Sequence, residues 1–376
     1  MVNVVSPVSR VVGDGRRWRE RRVRVQVVSA LVAAASMVAV AGCGTTEPAP
    51  TVTATATTTP DAQMSKSAPP EPEVTPVWPL TGRETSKDTD RPVVSVKVEN
   101  SASARPQSGL EDADVVWETI VEFDVSRLIA VFHSRYGRDV GPIRSVRPMD
   151  PTVVAPLGGA LVYSGGQSGI LKLARGMSTV TTIDENNASG SMWRARGRYA
   201  PHNLYGDTTK MAGLVGKKYA SEPKEQFAFA PDAASATAVT QGRRSNGASL
   251  VMSSLSAPSW TWNSDDKTFM RFEGGSAHVS ATAGQLSAVN VVVIEAKHID
   301  SGFNAQNNAP VPDYVLTGTG KATVWSHGHV VRGTWHKKKK SSALVLRTTD
   351  GDELLLAPGN TWVELLPQGK GTVTVK

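Results

Sequence analysis

Residues 113–136 read ADVVWETIVEFDVSRLIAVFHSRY, and this stretch decides the fold of the first half of the chain. Its apolar residues recur at alternate positions on both sides of Asp124-Val125, which is typical of two β-strands joined by a hairpin turn. Residues 93–100, VVSVKVEN, predict a third strand because β-branched side chains alternate there as well. This part of the chain is therefore predicted to build a sheet.

Short helices are predicted after this hairpin, and a β-rich region follows them. Residues 151–158, 170–177 and 207–220 favour helices. Short strands separated by turn residues are predicted at 249–255, 259–264, 268–274, 289–296, 322–328, 330–335, 343–349, 353–357 and 361–366. The sequence thus predicts an α+β protein of two lobes, a mixed α/β N-terminal domain at 78–215 and a β-rich C-terminal domain at 228–370.

The first 42 residues are typical of a bacterial export signal. Arginines precede an uncharged apolar segment at 25–42, which ends directly before Cys43, the only cysteine. The sequence Val40-Ala41-Gly42-Cys43 resembles a lipobox, in which the cysteine thiol is acylated and becomes the first residue after cleavage. A signal peptide at 1–42 and a palmitate-type anchor on Cys43 are predicted, with a membrane-spanning helix as the alternative.

Residues 43–77 form a Pro/Thr-rich segment with almost no large apolar side chain, a composition that predicts a disordered tether. Acylation of Cys43 would make the lipid bilayer the first partner and place the folded part at the outer face of the cell membrane. A single cysteine also excludes intramolecular disulfides and cysteine-based metal clusters.

The net charge gives no reason to expect a nucleic-acid partner. The chain carries a formal charge of +7, but residues 1–42 supply +5 of it. Only +2 remains after removal of the signal, whereas proteins that bind nucleic acids present a strongly basic surface.

Several motifs resemble the YerB-like lipoproteins, a family built on the N- and C-terminal parts of a domain of unknown function numbered 3048. The matching segments are ARPQSGL at 104–110, GPIRSVRP at 141–148, PHNLY at 201–205, GTW at 333–335 and GNTW at 359–362. Glu99 stands where the family usually has Asp. The resemblance implies an extracytoplasmic envelope lipoprotein and leaves its biochemical activity undetermined.

Charged and polar residues cluster in the first domain. The candidate ligand-binding residues are Lys97, Asn100, Arg105, Gln107, Glu118, Glu122, Arg127, Arg144, Ser145, Arg147, His202 and Asn203. Planar guanidinium groups suit carboxylates and phosphates, so the arginines either hold an anionic ligand or pair with Glu118 and Glu122. One of Arg144 and Arg147 is expected to pair internally while the other faces a ligand.

Two functions from different classes remain open. The first is a binding or accessory role in the cell envelope, with an envelope protein or a wall polymer as partner. The alternative is a hydrolase or other enzyme acting on a wall polymer or an anionic small molecule, with Glu118 or His202 transferring protons. Glu118 and Glu122 would lie about 13 Å apart on one strand, which is too far for a glycosidase pair. No cofactor and no metal is expected.

Overall fold

Strands from both halves of the chain pair into one twelve-stranded sheet in the computed structural model, which describes residues 75–376. The predicted signal peptide, Cys43 and most of the tether lie outside these described residues. The strands of the first half are β1 (Val94–Glu99), β2 (Val115–Ile120), β3 (Ser126–Phe132), β4 (Ala160–Val162), β5 (Thr181–Ile183), β6 (Met192–Arg194) and β7 (Leu204–Gly206).

The second half contributes most of the strands. They are β8 (Arg243–Arg244), β9 (Gly247–Val251), β10 (Pro258–Asn263), β11 (Thr268–Glu273), β12 (Ser276–Ala277), β13 (Val279–Ser280), β14 (Gly284–Gln285), β15 (Ser287–Ala288), β16 (Asn290–Asn304), β17 (Pro310–Val315), β18 (Gly318–Ser326), β19 (His329–Lys337), β20 (Val345–Thr348), β21 (Thr361–Pro367) and β22 (Thr372–Val375).

The helices are short. They are α1 (Asp150–Val154), α2 (Ser168–Arg175), α3 (Thr208–Ala212) and α4 (Thr237–Gln241), with 3₁₀ turns at Ala102–Ala104, Leu110–Asp112, Glu122–Asp124, Lys217–Tyr219 and Gln306–Asn308.

The large sheet runs in the order β20-β19-β18-β16-β21-β2-β3-β1-β4-β5, with β17 beside β16 and β8 beside β19. The two halves meet where β2 lies parallel to β21, which places Glu118 directly opposite Glu364. A separate six-stranded sheet is built from β12, β11, β10, β9, β22 and β15. The β-rich half is therefore joined to the first half by backbone hydrogen bonds between strands.

Both faces of the large sheet are covered. Trp117 and Ile129 pack on one face with Val153 of α1 and Ile170 of α2. Adjacent residues in these strands point to the opposite face of the sheet, and there Val116 packs among side chains of the smaller sheet. Burial on both faces explains why the central strands have nearly continuous apolar sequences.

The predicted class, α+β with a mixed first part and a β-rich second part, is confirmed. The predicted hairpin is present as β2 and β3, which pair antiparallel with Ile120 opposite Ser126. Two local predictions are wrong: only 208–212 of the predicted helix at 207–220 is α-helical, and 353–357 forms isolated bridges instead of a strand. Gly213 and Gly216 lie in the first of these segments, and glycine weakens a helix by about 1 kcal/mol.

Candidate functional site

A pocket of about 730 Å³ opens beside the connection between β2 and β3. It is lined by Glu99, Ser101, Ser103, Glu122, Phe123, Val125, Ser126, Arg127, Arg144, Ser145, Arg147, Gly166, Gln167, Ile170, His202, Asn304, Ala305, Gln306 and Val311. Six of the predicted site residues are in this set: Glu122, Arg127, Arg144, Ser145, Arg147 and His202. The pocket gathers segments that are far apart in the sequence, from the end of β1 to the start of β17.

Glu122 holds two of the three pocket arginines. Its carboxylate accepts from Arg147 Nε at 2.6 Å and from Arg127 Nη2 at 3.1 Å, and Arg147 Nη2 also contacts it. Burial raises the pKa of Glu122, but the hydrogen bond from Arg147 and the charges of both arginines outweigh burial and lower it to about 2. Glu122 is thus a fixed anion that pairs with both of these guanidinium groups, whose Nη1 atoms donate to the Ser145 carbonyl.

A buried ion pair lies behind Arg147 and positions it. Lys97 Nζ donates to Asp150 Oδ1 at 2.7 Å, and the other carboxylate oxygen accepts from the Arg147 backbone N–H at 2.7 Å. Lys97 is fully buried, and burial lowers its pKa to about 8 despite the Asp150 charge. Lys97 does not line the pocket, so its geometry is that of a structural support.

Arg144 is the arginine with hydrogen-bonding capacity left over. Its side chain is 21% exposed, and its Nε lies 3.3 Å from Glu99 Oε2, too poorly aligned for a hydrogen bond. Within residues 75–376 no protein acceptor is hydrogen-bonded to its guanidinium group. Because five N–H donors form a planar fork, Arg144 can bind a carboxylate or phosphate bidentately.

His202 is paired with Glu99 at the edge of the pocket. The Nδ1 of His202 is 2.9 Å from Glu99 Oε2, and Ser101 Oγ donates to Glu99 Oε1 at 2.7 Å. The imidazole is 31% exposed and lines the pocket. A carboxylate that orients one ring nitrogen leaves the other available to a ligand.

Glu118, by contrast, lies in a second, fully buried cluster around Arg271. Arg271 donates to Glu118 Oε2 at 2.6 Å, to Glu273 Oε2 at 2.9 Å and to Glu364 Oε1 at 2.9 Å. Its guanidinium carbon also lies 4.5 Å from the ring centroid of Trp362 and 5.2 Å from that of Trp260. Glu118 therefore binds the two halves together and has no access to the pocket.

Three further predicted residues extend this buried cluster or border it. Asn100 Nδ2 donates to Glu118 at 3.1 Å, and Gln107 connects Asn100 Oδ1 to His278 with bonds of 2.9 and 2.8 Å. Arg105 is half-buried, and its charge acts on Glu273 and His278. None of the three lines the pocket.

Asn203 supports the strand beside His202. Its Oδ1 accepts from Arg194 Nη1 at 2.8 Å and its Nδ2 donates to the Arg198 carbonyl at 3.2 Å. The sequence interpretation missed Glu99 and Phe123 in the pocket, and Arg271, Glu273 and Glu364 in the buried cluster. The sequence VELL at 363–366 places a charged residue inside an apolar strand, and this pattern could have indicated that Glu364 is buried and paired.

The pocket has the chemistry of an anion-binding site. It carries one arginine with free donors, one carboxylate-oriented histidine and several hydroxyl and amide groups. No group of three or more histidine, cysteine, aspartate or glutamate side chains with metal-binding geometry occurs in the described part of the chain. Among those same residues, no helix has the length and apolarity needed to cross a membrane.

Comparisons with known proteins agree with the two-part organisation. The family described as protein of unknown function DUF3048 matches through its N-terminal domain at residues 80–221 and through its C-terminal domain at 248–363. The chain belongs to this family, which confirms the resemblance seen in its motifs. It is 29% identical over 297 residues to the Bacillus subtilis (strain 168) protein named "Putative lipoprotein YerB", over 77% of this chain and 86% of that protein.

A solved structure has the same fold. The crystal structure of YerB protein from Bacillus subtilis superposes with a TM-score of 0.67 at 25% sequence identity. The match covers 80% of this chain and 99% of that chain. This protein therefore shares its fold with that chain over most of its own length.

Proposed function

We propose that this protein is a lipid-anchored binding protein at the outer face of the cell membrane whose pocket holds an anionic ligand. The observation that carries the proposal is Arg144, the pocket arginine whose guanidinium fork is left without a hydrogen-bonded protein acceptor among residues 75–376. Arg127 and Arg147 are held by Glu122, so they shape the site and add positive potential around Arg144.

The low pKa of Glu122 and the location of Glu118 outside the pocket favour a binding function over a hydrolase. A general acid needs a pKa raised toward the working pH. Glu122 has its pKa lowered to about 2, and Glu118 does not line the pocket. His202, whose ring is oriented by Glu99, is the pocket residue that an enzyme would use for proton transfer.

The lipid anchor is supported by the lipobox at residues 40–43 and by the name of the Bacillus subtilis relative. Cys43→Ala is expected to abolish acylation and to release the protein from the membrane fraction, because the acyl chains on Cys43 are the attachment proposed for the mature protein. Fractionation and the mass of the mature N-terminus measure this. An uncleaved N-terminus with unchanged membrane retention would instead identify a spanning helix.

Arg144→Gln and Arg147→Gln are expected to separate binding from stability. Arg147→Gln leaves part of the buried Glu122 carboxylate unpaired, so we expect a loss of about 2 kcal/mol of folding free energy. Arg144→Gln removes a partly exposed, poorly aligned contact to Glu99, which keeps its bonds from His202 and Ser101, and should cost less than about 1 kcal/mol. Thermal or urea unfolding of both variants checks this order.

The same Arg144→Gln variant is also tested for anion binding. Titration of the full chain with sodium phosphate and sodium lactate, followed by NMR chemical shifts, should show saturable binding that Arg144→Gln removes. Arg175→Gln is the matched control, because Arg175 is 53% exposed, pairs with Asp184 and does not line the pocket. Equal anion binding by the parent and Arg144→Gln would contradict the proposal.

A further inference from the structure

We propose that the ligand is an acidic sugar, with its carboxylate or phosphate on Arg144 and a face of its ring packed on Phe123. This inference rests on the proposed function and names the chemical class of the ligand. It follows from three features of the pocket: a displayed aromatic ring, a rim of neutral hydrogen-bonding groups, and the available volume.

Phe123 is held outward on the pocket wall by its backbone. Phe123 is 58% exposed and has φ of +63°, a left-handed conformation that bulky residues rarely adopt. Such a conformation costs on the order of 1–3 kcal/mol and persists only where surrounding contacts enforce it. A large apolar ring gains nothing for folding from this placement, whereas a ligand with an apolar face gains a contact surface.

Contacts from the second half of the chain enforce this turn. Asp124 is also left-handed, with φ of +59°. Its backbone carbonyl oxygen accepts a hydrogen bond from Ser253 Oγ at 2.5 Å. Its carboxylate accepts from Ser254 Oγ at 2.7 Å. The Phe123 ring is therefore presented by a fixed turn, which lowers the entropy cost of binding a ligand against it.

Part of the remaining wall is neutral and polar, beside the apolar side chains of Val125, Ile170 and Val311. Ser101, Ser103, Asn304 and Gln306 supply hydroxyl and amide groups that can donate and accept hydrogen bonds. This pattern matches a ligand with many hydroxyl and amide groups and does not match the acyl chains of a lipid. A volume of about 730 Å³ falls in the range of pockets that enclose ligands of several hundred daltons, which accommodates a disaccharide.

The test compares ligands that differ in one chemical feature. Calorimetric titrations of the full chain would use the disaccharide of N-acetylglucosamine and N-acetylmuramic acid, which carries a carboxylate, and glucose 6-phosphate. The neutral disaccharide diacetylchitobiose and the bare anions phosphate and lactate are the controls. At least one acidic sugar should bind about tenfold or more tightly than its neutral and bare-anion controls.

Phe123→Asn is the decisive variant because asparagine tolerates the left-handed conformation. It should unfold at the same or a higher temperature than the parent, yet bind the acidic sugar about tenfold more weakly and leave binding of bare anions unchanged. Tyr199→Ala is the matched control, since Tyr199 is 87% exposed and does not line the pocket.

Each of the other outcomes contradicts a specific part of the proposal. If bare anions bind as tightly as the sugars and Phe123→Asn binds like the parent, the sugar assignment is wrong and the anion pocket stands. If the neutral disaccharide binds as tightly as the acidic sugars, the role of Arg144 is wrong. If no anion or sugar binds, both the proposed function and this inference fail.

Discussion

Replacing Arg271 by methionine is expected to destabilise the protein by about 3–5 kcal/mol, because it strands carboxylates in the interior. Arg271 is fully buried, and its guanidinium is the cation that Glu118, Glu273 and Glu364 share. Those residues come from β2, β11 and β21, so the loss also weakens the junction between the two halves. The melting temperature should fall by at least about 6 °C.

Two comparison variants keep this prediction testable if Arg271→Met does not fold. Arg271→Lys keeps the charge but cannot bond three carboxylates with a planar fork, so an intermediate loss is expected. Arg175→Met removes a 53% exposed arginine; its partner Asp184 is buried but keeps the hydrogen bond from the Asn186 backbone N–H, so stability should change by no more than about 1 kcal/mol. Equal melting temperatures for Arg271→Met and Arg175→Met would show that the buried cluster does not stabilise the junction.

Glu364→Gln is expected to stabilise the protein at neutral and alkaline pH, on the order of 1 kcal/mol or more. Burial, together with the neighbouring Glu118 charge, raises the pKa of Glu364 well above its usual 4.5. A carboxyl group that keeps its proton in the folded state favours folding most at low pH. Its contribution is then lost as the pH rises from about 4.5 through the folded-state pKa.

Glutamine removes this pH dependence and fits the local geometry. Its carbonyl oxygen can keep accepting from Arg271 and from Trp260 Nε1, which lies 3.0 Å from Glu364 Oε1. Its amide can take the place of the proton, because the buried Oε2 of Glu364 accepts no hydrogen bond from the described residues. Urea unfolding at a series of pH values from 5 to 8 measures the effect.

Glu118→Gln, the matched change on the opposite strand, is expected to destabilise. Both oxygens of Glu118 accept from donors, Asn100 and Ser256 on one and Arg271 on the other. A glutamine amide would place its own N–H groups against one of these donors, which costs about 1–3 kcal/mol. If the two variants respond alike, the assignment of the retained proton to Glu364 is wrong.

The pocket was only partly predictable from the sequence. Arg144 and Arg147 share a short loop between prolines, so the sequence predicted that they lie close together. The structure pairs Arg147 with Glu122 and leaves Arg144 partly exposed beside Glu99. Phe123 occupies an apolar position of the alternating pattern, which predicts burial. Its left-handed backbone depends on hydrogen bonds from residues about 130 positions away, which no local pattern contains.

The sequence by itself determined most of the central strands and the family, and it predicts the signal peptide and the lipobox. These features depend on alternation of apolar residues and on short motifs, which act over a few neighbouring residues. Only the tertiary structure decided that β2 pairs with β21, and with it that Glu118 meets Glu364 and Arg271 instead of lining the pocket. The physical reason is that the register between distant strands is set by packing on both faces of the sheet, and a shift of one residue would turn Glu118 to the opposite face.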